Sequence, residues 1–386
     1  MSFNIIDRDM TNVTNTSLRN ITELPNNGSL LLIGISNEYE LVSDDMPSAH
    51  ELEIVLTTWV PPILIVLGSI GNILTLLIMR RPPFCHYAIS FYITAYAVSS
   101  LLAIYLFLGS EWIAFLAHAK TIDDQTDWLC RLWQFISRAI TYSSIWFVVA
   151  MTIDRYIIIW QAKHVSSMCT LFMAKFVAVI IMVGLVVISI HAMWLHELMM
   201  GKCYFFHNED LHAIIWPWVS ASFYSYIPLT LIFIFDVSIL TGLCLKRPTK
   251  GRHHEQLPMV LTYTTLGLSM MYFVFVIPPT VINVVVRTYP PSWLEDFKFM
   301  TQLKKASIIS HYMAWVNTVT VFYVCLFFSR TFRLELVAFH RDLMEKFRSY
   351  WCIQQRRRIY ELHVGSNSSA ATQVETVDMC TETTPL

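Results

Sequence analysis

Long apolar runs alternate with short polar segments along most of this chain. Seven runs can be read, at about 57–80, 86–109, 128–160, 170–196, 214–245, 258–286 and 304–329. Each is about 20 residues or longer, the length an α-helix needs to cross ~30 Å of hydrocarbon. None alternates at a period of two, as the strand of a membrane barrel does. Backbone polar groups in lipid must be paired within their own segment, so each run is predicted to be a helix. The pattern therefore predicts an all-α membrane protein, a seven-transmembrane helix bundle. No internal repeat of the kind that builds many transporters is visible.

The polar segments extend this picture. After the seventh run, residues 329–352 read SRTFRLELVAFHRDLMEKFRSYWC. Phe332, Leu336, Phe339, Leu343 and Phe347 recur there at helical spacing, with Arg and Lys between them. That spacing predicts an amphipathic eighth helix over 330–352, lying on the inner leaflet and in contact with membrane lipids. The chain then divides into an N-terminal segment (1–56), the membrane bundle (57–329), the amphipathic helix (330–352) and a polar, disordered tail (353–386).

Composition agrees. Charged residues make up 14% of the chain and hydrophobic ones 55%, against about 25% charged in soluble domains. The net charge of −1 says less than the side on which charges lie. Arg80, Arg81, Lys163, Lys246, Arg247, Lys250, Arg252, Arg330, Arg333, Arg341, Lys346, Arg348 and Arg356 to Arg358 fall on one side. Residues 1–56 carry nine acids against Arg8 and Arg19. The rule that basic residues stay inside puts the N-terminus outside and the tail in the cytoplasm. The first 20 residues have no apolar core, so no cleavable signal peptide is expected and the first run directs insertion.

Asn12, Asn15, Asn20 and Asn27 each begin an Asn-x-Ser/Thr triplet on the expected outer side. They are candidate glycosylation sites; the alternative is a merely Asn/Thr-rich segment. Asn367 fits the same pattern on the opposite, cytoplasmic side. Of the eight cysteines, most lie in apolar runs or in cytoplasmic-side segments, so no dense disulfide scaffold is implied. Cys130 and Cys203 fall on the oxidising side. Cys352, ending the amphipathic stretch, is a candidate for lipidation or a plain free thiol. No metal-spaced His/Cys cluster, phosphate-cradling Gly-rich loop or nucleophile–base pair is present; His253-His254 has no companion ligands. Neither an enzyme nor a cofactor, metal or nucleic-acid partner is expected.

Several features stand in a telling order. Gly71-Asn72 lies in the first run and Trp112 in the loop after the second. Cys130 opens the third run, Ser144 lies mid-way along it and Asp154-Arg155-Tyr156 ends it. Pro228 lies in the fifth run, Pro278 in the sixth, and Phe332-Arg333 opens the eighth helix. Together they resemble the rhodopsin-like G-protein-coupled receptors over about residues 55–350. The stretches GSIGNILTLLIMRRPPF (68–84), SFYITAYAV (90–98), SSIWFVVAMTIDRYI (143–157) and ISIHAMW (188–194) further resemble invertebrate neuropeptide receptors of the FMRFamide-receptor type.

The resemblance implies a plasma-membrane receptor for an extracellular peptide that signals to a heterotrimeric G protein. It implies a disulfide between Cys130 and Cys203, tying the third helix to the second outer loop. Asp154, Arg155 and Tyr156 would form the switch, the arginine being held by acids at rest and contacting the G protein when active. The ligand would bind between the outer halves of helices three, five, six and seven. That region offers Gln134, Ser137, Arg138, Tyr142, Trp216, Trp218, Asn283, Arg287, His311, Tyr312 and Trp315. Ser137 stands where amine receptors carry aspartate and Trp315 where opsins carry the retinal lysine, which argues against both ligand classes. Arg138 is an intramembrane charge, which points to a ligand group or to an internal pair with Glu111 or Glu197. The tail's Ser366, Ser368, Ser369, Thr372, Thr376, Thr381, Thr383 and Thr384 are phosphorylation candidates for arrestin recognition. Thr384-Pro-Leu386 fits a PDZ ligand.

The sequence also departs from the family. Ser100 stands where the second helix usually carries a sodium-binding aspartate, so no useful sodium site is expected. Val321-Phe322-Tyr323-Val324-Cys325 stands where the seventh usually reads Asn-Pro-x-x-Tyr. Asp236 replaces the usual tyrosine of the fifth helix. It is expected either to hold Arg155 or to reach inner-leaflet water. Two rival classes remain. A transporter or channel would show substrate flux or current. A receptor-like protein that no longer signals would bind without activating a G protein.

Overall fold

The computed structural model describes residues 47–161, 165–205, 215, 218–245, 256–288 and 297–365. The glycosylation candidates Asn12, Asn15, Asn20 and Asn27, together with Trp216, the basic 246–255 linker and the phosphorylation and PDZ candidates of the tail, lie outside them. The helices are α1 (Pro47–Met79), α2 (Ala88–Leu116), α3 (Asp127–Trp160), α4 (Leu171–Ser189), α5 (Trp218–Leu245) and α6 (Gln256–Thr288). The seventh span is two pieces, α7 (Phe297–Asn317) and α8 (Thr320–Phe328). Helix α9 (Arg330–Gly365) follows. Six helices are long and apolar enough to cross a membrane, and the pair α7–α8, bent by 56°, makes a seventh. The protein is thus an all-α, multi-pass membrane protein. A hairpin of β1 (His196–Met199) and β2 (Lys202–Phe205) follows α4.

The core lies along α2, α3 and α6, where Ile93, Tyr96, Val148, Met151 and Tyr272 are sealed from solvent. Exposed Leu, Ile, Val and Phe on the outer faces of α1, α4 and α5 suit hydrocarbon rather than water. Close packing is sequence-encoded at Gly71, where an added Cβ would come 2.9 Å from the Cβ of Phe322. A side chain there would push α1 away from α8.

Proline shapes α5. Pro228 has no N–H, so it cannot pair with the carbonyls of the turn before it. The chain answers with a π turn over Ser222–Tyr226 and with side chains from neighbouring helices. Tyr272 of α6 donates to the Tyr224 carbonyl at 3.0 Å, and Trp146 of α3 donates to the Phe223 carbonyl at 3.1 Å. The proline therefore stitches three helices together.

The seventh span departs from the continuous helix expected over 304–329. Its break contains no proline. The last turn of α7 tightens, Thr318 N–H meeting the Trp315 carbonyl at 3.1 Å and Val319 N–H the Val316 carbonyl at 3.0 Å. The carbonyls this leaves behind are taken up from other helices. Asn72 Nδ2 donates to Thr318 O at 3.0 Å, and Tyr96 OH donates to Asn317 O at 2.7 Å.

Helix α9 follows the predicted stripe at its start and runs longer than the expected 330–352, through Gly365. Phe332 is fully buried, 5.8 Å from the Phe322 ring and 6.4 Å from Phe84. Leu343 and Phe347 are exposed, as a face resting on lipid requires. Arg333 caps the end of α8, donating to the carbonyls of Leu326 and Phe327 at 2.8 Å. Arg81, after α1, bonds Asp342 at 2.6 Å and Glu335 at 3.3 Å and lies 5.9 Å above the Phe339 ring. Cys352 lies half-buried within α9.

Candidate functional site

Functional candidates gather at the two ends of the bundle. One end is marked by the disulfide expected from the resemblance. Cys130 at the head of α3 is bonded to Cys203 on β2, with Cα atoms 5.5 Å apart. The hairpin turns at Met200 and Gly201, whose φ angles of 51° and 80° are left-handed and favour glycine. Leu198 therefore stands opposite Cys203, and His196 opposite Phe205. Acids before and at the start of α3 hold the hairpin further. Asp124 accepts from the Cys203 amide at 2.7 Å, and Asp127 accepts from the Leu198 amide at 3.0 Å.

This clamp brings His196 onto α3. Its Nδ1 donates to the Ala192 carbonyl at 2.9 Å, and its Nε2 lies 3.2 Å from Arg138 Nη2. A carbonyl can only accept, so the ring proton sits on Nδ1 and the bare Nε2 accepts from the guanidinium. Burial, then the charge of Arg138, push the His196 pKa down to about 4, keeping the ring neutral. Among the described residues Arg138 is paired with neither Glu111 nor Glu197. Of the two alternatives, the internal acid pair is not seen among the described residues, and a neutral imidazole stands against the guanidinium.

Other ligand candidates form two groups. Gln134 donates to Asp123 at 3.3 Å, and Tyr142 shares a hydrogen bond with Ser220 of α5. These join Arg138 along α3, and Ser137 beside them is half-buried. On α7, Trp315 Nε1 donates to His311 Nε2 at 3.1 Å, and Tyr312 bonds Thr57 of α1 at 2.9 Å. Among the described residues no hydrogen bond joins the two groups. Asn283 of α6 is exposed, as is Trp218 at the start of α5; Arg287 has its backbone in α6, and its side chain lies outside the described residues. His196, Asp123 and Ser220 were missed by sequence reasoning. The signal for His196 was the hairpin register counted back from Cys203 through the Met200-Gly201 turn.

The other end holds the switch candidates. Arg155 is 1% exposed, Asp154 5% and Asp236 8%. The Arg155 Nε bonds Asp154 Oδ2 at 3.1 Å, and its Nη2 bonds the same oxygen. Tyr156 packs edge-on against Phe235 of α5, ring centroids 5.2 Å apart. Of the two alternatives for Asp236, the contact with Arg155 is not formed. Asp236 Oδ1 and Arg155 Nη1 are both buried without a partner, and Asp236 instead faces Ser269 of α6. The reason is local: Asp154, adjacent on the same helix, already satisfies two of the guanidinium nitrogens.

Mid-bundle, the place of the family's sodium aspartate holds neutral groups. Asn72 Oδ1 and Ser100 Oγ are buried without partners, and Ser144 bonds back to its own helix at 2.9 Å. These oxygens supply no anion for a desolvated monovalent cation, so the residues do not fit one. Among the described residues, no group of three or more His, Cys, Asp or Glu side chains could hold a metal.

No curated protein matches the chain. A family model, the seven-transmembrane receptor of the rhodopsin family, matches residues 71–335, and with the seven-span bundle, the Cys130–Cys203 bridge and the buried Asp154–Arg155 pair this places the chain in the rhodopsin family of G-protein-coupled receptors, which are receptors and not enzymes.

Proposed function

We propose that the chain is a plasma-membrane receptor activated by an extracellular peptide and signalling to heterotrimeric G proteins. Its N-terminus lies outside and α9 on the cytoplasmic side. The observation that carries this reading is Arg155, sealed at one end of α3 and held by Asp154, while the other end of the same helix carries Arg138 under a disulfide-pinned hairpin. One helix thus joins a candidate ligand group to a candidate switch. Releasing Arg155 from Asp154 would free a guanidinium to meet the G protein.

The test is G-protein activation in transfected cells challenged with a neuropeptide library, with Arg155→Ala as control. A response that disappears in Arg155→Ala supports the reading. Silence at normal surface expression overturns it in favour of a receptor-like protein without coupling. The proline-free break at Thr318-Val319, with Phe322 against Gly71, favours that second reading. It changes the segment through which family members rearrange.

A further inference from the structure

Arg138 is a cation set into a membrane helix. Among the described residues no carboxylate lies within ion-pair distance of it. The acids nearest along the chain are committed elsewhere. Asp123 accepts from Gln134, Asp124 from the Cys203 amide, and Asp127 from Arg131 and the Leu198 amide.

The guanidinium is nonetheless held. His196 takes one of its five N–H donors through a ring nitrogen that carries no proton and no charge. The side chain is half-buried, and none of its nitrogens is sealed away without a partner. Among the described residues Nε and Nη1 make no hydrogen bond, and neither is fully sealed. A guanidinium so placed presents a planar fork that matches a carboxylate. An intramembrane charge with no counter-ion among the described residues points to an external one.

We propose that Arg138 anchors a carboxylate of the activating ligand through its two-pronged edge, with His196 fixing the guanidinium's position. This deepens the peptide-receptor reading and rests on it. The ligand class is a peptide whose recognised part carries a free C-terminal carboxylate or an Asp or Glu side chain. A C-terminal amide has no charge to offer at this position.

The experiment uses a peptide library made twice, once with C-terminal acids and once with amides. It is applied to cells bearing the full-length wild type, Arg138→Gln or Arg138→Lys at matched surface levels. Active peptides are then remade with Asn or Gln for each Asp or Glu, which separates the two sources of the carboxylate. Removing the critical carboxylate is expected to cost about 10- to 100-fold in potency. Arg138→Gln is expected to cost the same, the two changes together costing no more than either alone. Arg138→Lys, which keeps the charge but not the fork, falls between. Amides that match their acids and keep full potency when every Asp and Glu is replaced, or full potency of the active peptides on Arg138→Gln, overturn the anchor and leave the receptor reading standing. Should Arg138→Gln fail to reach the surface, wild-type potency in Arg138→Lys overturns it equally. Silence of the wild type to both libraries overturns the receptor reading itself, and the anchor with it.

Discussion

Tyr96 of α2 donates its phenolic proton to the carbonyl of Asn317, 2.7 Å away, across the break in the seventh span. Asn72 of α1 does the same for Thr318 at 3.0 Å. Both donors are buried, at 1% and 0% exposure. In most membrane helices a proline creates such orphan carbonyls. Here two donors on other helices stabilise the opened form without one.

Removing a donor should therefore destabilise the break. A buried carbonyl left without a partner costs about 1–3 kcal/mol. Thr318 O stands to lose its side-chain donor in Asn72→Ala, so that variant belongs at the upper end. Asn317 O also receives Thr320 Oγ1 at 2.8 Å, so Tyr96→Phe belongs at the lower end. Thermal unfolding of purified receptor in detergent measures both. An unchanged melting temperature in Asn72→Ala would show that the break persists without outside donors.

The switch end makes a contrasting prediction for two acids. Asp154 holds Arg155, so Asp154→Asn should raise basal G-protein activation. Asp236 does not touch Arg155, and one of its oxygens is buried without a partner. A buried, unpaired charge is costly. Asp236→Asn should raise the melting temperature by a few degrees and leave basal signalling at the wild-type level. Elevated basal signalling in Asp236→Asn would restore the lock that the sequence suggested and that this conformation does not contain.

How far the sequence could be read follows from the range of each determinant. The membrane spans were legible because hydrocarbon imposes a length and composition on every span separately. The Phe332–Phe339 stripe was legible because helical period is local. The break at Thr318-Val319 was hidden because its cause lies on α1 and α2, at Asn72 and Tyr96, far away in sequence. Arg138's partner was missed for a similar reason. A search for opposite charge pointed to Glu111 and Glu197, whereas the hairpin register delivered the neutral ring of His196. For Asp236 depth alone left two partners open, Arg155 or inner-leaflet water, because it does not show that Asp154 competes from the next residue.

His196 gives a pH signature. Burial, and then the charge of Arg138, lower its pKa from 6.5 to about 4. A depressed histidine binds its proton less well folded than unfolded. Stability should therefore fall as pH drops from about 6.5 toward 4, by about 2 kcal/mol at pH 5. The melting temperature of wild type against His196→Asn, followed from pH 7.5 to 5, isolates this share. The difference between the two should shift in favour of the variant as the medium becomes acid. Parallel curves would mean that the ring titrates normally and is not held neutral against Arg138.

Arg81 and Asp342 tie the segment after α1 to α9, with Glu335 and the Phe339 ring completing the seat. The pair is solvent-facing, so its strength is limited and salt-sensitive. The Arg81 hydrogen bond holds the Asp342 carboxyl below its usual range, and Asp342 holds the Arg81 pKa above its own. A depressed carboxylate keeps its tie above the ordinary aspartate value and loses it only as pH falls through the lowered one. Docking of α9 should therefore be constant between pH 5 and 8 and weaken with added salt. A spin label placed at Met344, which is exposed, reads this directly. Arg81→Ala and Asp342→Ala should each mobilise the label, and the double variant should do little more than either. Phe332, buried between Phe84 and Phe322, should still anchor the start of α9 in all three. A label that stays immobile in the double variant would show that this aromatic anchor alone sets the position of α9.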